Sequence, residues 1–184
     1  MKFPWYKYEE LLSPRKNTLQ IFLTTDCNLR CEGCFARNVM GDEIKHIEHS
    51  ELFETISNFR DKGGKHINLL GGEPLKHPQI EIILPTLASF NPKYKASHPF
   101  TTTIYTNGYL LNKIDAECFK DIKVRVSLYC KSGGVKSTET LPKTNVPIEI
   151  CFMVSRKTTV DELIETASYI EDNYNCGVFF ISSL

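Results

Sequence analysis

Cys27, Cys31 and Cys34 place three thiols within eight residues, in the run Cys27-Asn28-Leu29-Arg30-Cys31-Glu32-Gly33-Cys34-Phe35. Thiolates are soft ligands for iron–sulfur clusters, zinc or copper(I). Spacing this close lets one loop wrap one centre, and Gly33 lets the backbone come near the metal. A structural zinc site takes four protein ligands, and an ordinary four-iron cluster takes four cysteines. The next cysteine, Cys118, has no partner at metal-binding spacing. Three ligands in place of four imply an open coordination position, the mark of a reactive centre. Two blander readings stand beside this one. They are a zinc knuckle completed by His46 or His49, and a pure electron-transfer cluster. The first leaves the glycine-rich run at 71–74 unexplained, and the second lacks a fourth cysteine.

The elements that must position these thiols follow from hydrophobic periodicity. Residues 19–24 read as a first strand, and the cysteine loop leaves it. A helix begins near Ser50, a good N-cap, with Leu52, Phe53, Ile56 and Phe59 on one side and Gly63-Gly64 at its end. Residues 67–70 form a second strand that runs into Gly71-Gly72-Glu73-Pro74. Pro78 opens a second helix carrying Ile80, Ile83, Leu84 and Leu87, and Pro85 within it predicts a kink or an early end. Residues 100–105 are a third strand, followed by Thr106-Asn107-Gly108, and a short helix is expected over 112–119. Residues 122–128 alternate apolar and polar as a fourth strand. The stretch 131–147 is polar and shows no amphipathic helix. A fifth strand lies within 147–154. A capping box at Thr159 and Glu162 opens a helix with Leu163, Ile164, Ala167 and Ile170 on one side, and 177–181 is a sixth strand. Such alternation predicts an α/β fold with a mostly parallel sheet. Six strands make a partial (β/α)6 TIM-like barrel, with the fourth helix missing or reduced. Chemistry in such sheets gathers at the C-terminal strand ends, where all three unusual loops lie.

Composition narrows the class of function. Lys plus Arg and Asp plus Glu each total 22 in 184 residues, so the formal net charge is zero. Neither half of the chain hides a basic arm, which argues against nucleic-acid binding and against a polybasic membrane anchor. No apolar run reaches the length of a membrane span, and the N-terminus lacks a signal-peptide pattern. A soluble, cytoplasmic protein is expected. Seven cysteines without an export signal point to metal or thiol chemistry rather than a disulfide framework. Cys118, Cys130, Cys151 and Cys176 read as core or near-surface thiols. Cys130, after the fourth strand, is the one placed to serve as a hydrogen-atom donor. Residues 1–17, with Trp5, Tyr6 and Tyr8, read as an extension packing on the barrel, and residues 18–184 as the core domain.

The C-x3-C-x2-C spacing after the first strand resembles the signature of the radical S-adenosylmethionine (SAM) enzymes. Gly71-Gly72-Glu73-Pro74 resembles that family's GGEP motif, and Thr106-Asn107-Gly108 resembles its TNG motif. The resemblance covers essentially the whole chain. It implies that Cys27, Cys31 and Cys34 bind a [4Fe-4S] cluster whose fourth iron is chelated by SAM. It also implies reductive cleavage of SAM to a 5′-deoxyadenosyl radical that abstracts hydrogen from a substrate. Glycines without a Cβ let backbone carbonyls reach the SAM ammonium, and Glu73 can accept from it. Pro74, Thr106, Asn107 and Phe35 fall beside the cofactor by the same resemblance. Ser127 would contact the ribose, and Arg156, after the fifth strand, would pair with the SAM carboxylate. The run around the fifth strand is similar to peptide-modifying members, so a peptide or protein substrate is expected. A flavodoxin- or ferredoxin-type reductase is expected as electron donor, and oxygen sensitivity follows from the cluster. Gly33, where many relatives carry an aromatic residue, is shared with activases of glycyl-radical enzymes. That makes an activase the second enzymatic reading. A non-catalytic iron–sulfur or zinc protein is the reading from another class.

Overall fold

Each apolar run that alternates in the sequence becomes a strand, and in the first five of them alternate side chains are sealed from water. In the computed structural model the strands are β1 (Thr18–Thr24), β2 (His66–Gly71), β3 (Thr101–Thr106), β4 (Ile122–Tyr129), β5 (Ile148–Val154) and β6 (Cys176–Ser183). The residues described are 17–31, 34, 36, 40, 41, 43–90, 100–129, 143–154, 158–174 and 176–183, with residue 129 and residues 177–183 described by backbone alone. Phe35, Cys130, Arg156, most of the N-terminal extension and most of the 131–147 stretch lie outside them. Among the described residues the six strands form one sheet in sequential order, β1 to β6, and every neighbouring pair is parallel. β1 and β6 are its edges, so the sheet is the open wall of a partial barrel. Asn17 already belongs to it, because its carbonyl accepts from the amides of Lys65 and His66.

Three helices cover one face: α1 (His49–Asp61), α2 (Ile80–Ser89) and α3 (Val160–Asn173). The core lies between them and the sheet. Leu52 and Ile56 from α1 and Ile83, Leu84 and Leu87 from α2 are wholly buried, against strand residues such as Ile67, Ile104 and Val126. The opposite face is different. Tyr105, Arg125, Ser127, Glu149 and Cys151 lie on it, half-buried and mostly polar. Parallel sheets ordinarily bury apolar residues on both faces, so a polar face marks the side where chemistry is done.

Three expectations need correction. α1 starts two residues earlier than a Ser50 N-cap would set it. Glu48 is the N-cap, without a side-chain cap bond. The entry is held by tertiary contacts instead, since the amide of Ile47 donates to the Leu23 carbonyl and His46 bridges Thr24. Pro78 does not open α2, because Pro74–Lys76 forms a 3-10 turn first and the helix begins at Ile80. Pro85 sits inside α2 without ending it. Its missing N–H would have bonded to the Glu81 carbonyl, which instead faces the Cys118 thiol at 4.0 Å. The short helix expected over 112–119 is two 3-10 turns, Leu111–Lys113 and Ala116–Phe119, separated by extended backbone at Ile114 and Asp115. The N-cap bond of the capping box forms: the Thr159 hydroxyl accepts from the Glu162 amide at 3.1 Å.

No helix among the described residues is long and apolar enough to cross a membrane. Ile83→Ala, at a fully buried position, should cost about 2–5 kcal/mol. Ile164→Ala, at an exposed one, should stay within about 0.5 kcal/mol. Both are read as shifts in the denaturant midpoint.

Candidate functional site

At the C-terminal end of β1 the register slips between Phe22 and Thr24, so that Thr24 pairs with Gly71. Bulges at strand ends re-aim the chain beside active sites. The chain is then clamped from the side by residues 43–47. The Thr25 amide donates to the Lys45 carbonyl at 2.9 Å, and the Thr25 hydroxyl donates to Glu43 and accepts from Lys45. This clamp holds the cysteine loop at its root.

The loop after β2 is zipped onto the same root. The Gly72 amide donates to the Thr24 carbonyl, and the Glu73 amide to the Asp26 carbonyl, both at 2.8 Å. The approach is too close for side chains. A Cβ on Gly71 would lie 2.4 Å from the Thr24 carbonyl oxygen, and one on Gly72 would lie 2.3 Å from that of Asp26. Gly71 also has φ +152°, which L side chains rarely adopt. These glycines are therefore required by loop packing before any ligand arrives. Lys76 fastens the junction with its ammonium 2.7 Å from both Asp26 carboxylate oxygens.

Glu73 joins the third loop to the other two. Its side chain is 1% exposed. Oε1 accepts from the Thr106 hydroxyl at 2.7 Å and from the Leu75 amide at 3.1 Å, and Oε2 accepts from the Asn107 amide at 2.7 Å. Sequence reasoning assigned this carboxylate to the SAM ammonium; in the structure it is engaged with these protein donors. Asn107 in turn donates from Nδ2 to Asn28 Oδ1 at 2.7 Å, inside the cysteine loop. Its own Oδ1 accepts from the Tyr109 amide. Pro74 starts the 3-10 turn and is buried.

The three loops enclose a cavity of about 430 Å³, onto which Cys27, Cys31, Cys34, Gly71, Gly72, Glu73, Thr106, Asn107 and Ser127 all open. The structure thus brings together every described residue of the expected site except Pro74, which is buried in its 3-10 turn. The three thiols are half-buried and unbridged. Burial pushes the Cys27 thiol above its ordinary value; the Leu29 amide opposes this, and Glu73, Cys31 and Cys34 add to it. Three thiolates gathered beside a buried carboxylate need positive charge among them. That donor set suits an iron–sulfur cluster, whose irons supply the charge. His46 and His49 are turned elsewhere. The first meets the ring of His77 edge-on at 5.4 Å and the second packs on Phe53. Among the described residues no three Cys, His, Asp or Glu side chains form a site for a single ion.

Several contacts were missed by sequence reasoning: Lys76 with Asp26, Asn28 with Asn107, and Tyr105 with Arg125 and Glu149. The first two join residues 50 and 79 positions apart, for which no local pattern gives a signal. The third had one: the polar positions of the alternating run 122–128 share a face with Ser127.

The open parallel sheet with helices on one face, and a three-thiol loop closing on glycine-rich and Thr-Asn-Gly loops, define an α/β partial barrel with three thiols at the C-terminal ends of its strands. The chain belongs to the radical SAM superfamily, whose family model matches residues 21–181. It is similar to GTP 3′,8-cyclase of Campylobacter fetus subsp. fetus (strain 82-40), with 31% identity over 150 residues, 80% of this chain and 40% of that protein. The corresponding enzyme of Acidothermus cellulolyticus is 30% identical over 138 residues, 71% of this chain and 36% of that protein. The chain thus spans less than two thirds of these relatives' length. Among solved structures, Streptococcus suis SuiB bound to precursor peptide SuiA superposes with a TM-score of 0.71 at 21% identity, over 91% of this chain and 39% of that one. Native anSMEcpe with bound AdoMet and Cp18Cys peptide gives 0.58 at 18% identity, over 89% and 50%.

Two predictions follow from the loop junction. Thr106→Val leaves the buried Glu73 carboxylate one donor short and should cost about 1–3 kcal/mol by denaturant midpoint. His77, which is buried and closes the turn after Pro74, accepts from the Gln79 amide at Nδ1 and donates from Nε2 to the Ile47 carbonyl, both at 3.1 Å. Burial lowers its pKa below 6.5. The Ile47 bond and Glu48 oppose the shift, and His46 and His49 add to it. The unfolded chain therefore takes up the proton first, and the stability held above the unfolded value is lost as pH falls through 6.5 and below. Thermal midpoints should drop between about pH 7 and pH 5.5, and drop less in His77→Gln.

Proposed function

We propose that this chain holds a [4Fe-4S] cluster on Cys27, Cys31 and Cys34, binds SAM beside it, and acts on a peptide or protein substrate. The observation that carries the reading is the opening of all three thiols onto one cavity walled by the zipped glycine loop. When bound, the cluster and SAM supply a one-electron cleavage that yields methionine and a 5′-deoxyadenosyl radical. The protein's task is to orient the cofactor and exclude competing reactions. Backbone carbonyls around Gly71 and Gly72 bind the SAM ammonium, with the Glu73 carboxylate behind them adding negative charge. Ser127 takes a ribose hydroxyl, and Thr106 and Asn107 hold the wall between. Phe35 and Arg156 complete the cofactor contacts in this reading. A flavodoxin- or ferredoxin-type reductase delivers the electron, and the chain works in the cytoplasm.

The peptide assignment draws support from the fold neighbours SuiB and anSMEcpe, whose structures hold peptides. The curated relatives point to a second reading, since they are named for GTP.

Anaerobic reconstitution of the wild type should give about four iron and four sulfide per chain, and dithionite with SAM should then give 5′-deoxyadenosine. Cys31→Ala should lose both, while Cys176→Ala should keep the cluster. Equal cluster content in wild type and Cys31→Ala would sink the assignment.

A further inference from the structure

Asp26 stands immediately before Cys27 and lines the same cavity as Cys27, Cys31 and Cys34. Its backbone is committed on both sides. The amide donates to the Thr24 hydroxyl at 3.0 Å, and the carbonyl accepts from the Glu73 amide at 2.8 Å. The carboxylate is therefore carried at a fixed place beside the thiols. Lys76 meets it from the 3-10 turn Pro74–Lys76, where the Lys76 amide donates to the Glu73 carbonyl at 2.9 Å. The ammonium lies 2.7 Å from each carboxylate oxygen, with the two side chains 31% and 22% exposed. Lys76 is not part of the cavity wall and reaches it through Asp26.

A pair at this place can serve as a rivet or as a charge. The rivet is redundant. Backbone bonds from Gly72 to Thr24 and from Glu73 to Asp26 already join the two loops, and a partly exposed ion pair adds little to stability. The charge is not redundant. Backbone bonds leave the Asp26 carboxylate its full negative charge, on a cavity that three thiols and Glu73 also line, and Lys76 cancels it. Uptake of one electron from the reductase makes a cluster at this site one unit more negative. A negative charge nearby opposes that uptake, and a positive one favours it. At an effective dielectric of about 20, a unit charge acts about tenfold on a one-electron equilibrium at about 12 Å. Adjacent residues lie about 3.8 Å apart at Cα, which puts Asp26 well inside that range of Cys27.

We propose that Lys76 is a positioning residue for electron uptake: acting through Asp26, it cancels the carboxylate next to Cys27 and raises the reduction potential of the cluster. The inference rests on the cluster reading proposed above. The two residues set the potential as a pair, so losing either partner moves it, and in opposite directions.

The test is a redox titration of the reconstituted full chain, followed by the EPR signal of the reduced cluster. SAM is omitted so that nothing turns over. Lys76→Met uncovers the carboxylate. It should shift the reduced-to-oxidised ratio about tenfold towards the oxidised cluster, about 59 mV for a one-electron couple. Asp26→Asn uncovers the ammonium and should shift the ratio by a similar factor the other way. Lys76→Arg, which keeps the charge, should stay within about twofold of wild type, as should the double variant Lys76→Met with Asp26→Asn. A mere rivet predicts lower cluster content in both single variants and no opposed shifts. Asp26→Asn carries the test alone if Lys76→Met takes up no cluster. Single variants that stay within about twofold of wild type, or that shift the same way, would overturn the inference and leave the cluster assignment standing. So would an Asp26→Asn potential at or below that of wild type. Iron and sulfide are measured on the same samples. A wild type without about four of each would fail the cluster reading, and the inference with it.

Discussion

The site depends on one buried carboxylate. Glu73 is sealed from water and charged only at the cost of losing its hydration, so it must be surrounded by donors. Those donors are fixed in place: the amide of its own turn at Leu75, the hydroxyl of Thr106 and the amide of Asn107. Satisfying the charge therefore fixes the distance between the loops after β2 and β3. The amide of the same residue donates to Asp26, so the loop after β1 is locked to the same point. Three loops that could each move are reduced to one rigid rim. The thiols inherit that rigidity because Cys27 follows Asp26 directly, and Asn28 is tied to Asn107.

The sheet divides labour between its faces. Strand alternation sends Val124, Val126 and Leu128 to the buried side and Arg125 and Ser127 to the other. The apolar side packs on helices and supplies the stability. The polar side can then be spent on function, at the expense of desolvating charged groups that must be paired. Arg125 and Glu149 show the pairing, and their bond across β4 and β5 is stronger than a surface pair because both are mostly shielded from solvent.

Much of this was legible in the sequence, for identifiable reasons. Strand positions follow from period-two alternation, and α3 from its capping box. The cysteine loop and the two glycine-containing loops were visible because each is a short contiguous segment. What escaped were contacts made across distance. Lys76 reads as an ordinary charge until the fold puts Asp26 beside it. Ser50 is the better cap by local chemistry, yet α1 starts from Glu48 because Ile47 is already bonded to Leu23. The 112–119 stretch has helical spacing, but Ile114 and Asp115 are extended, and two 3-10 turns result. In each case a tertiary bond or a local break overrode a weak propensity. The bonds of Glu73 to Thr106 and Asn107 escaped for the same reason, since those donors lie in another loop.

The relatives and the fold neighbours differ in what their names say they act on, yet both are similar to this chain over most of its length. That pattern has a physical basis. The loops after β1, β2 and β3 interlock through backbone bonds and a buried charge, so a change in one strands a polar group in another. The side chains on the polar face of β3, β4 and β5 meet across the sheet through side-chain bonds, and replacing a pair together leaves the backbone ladder intact.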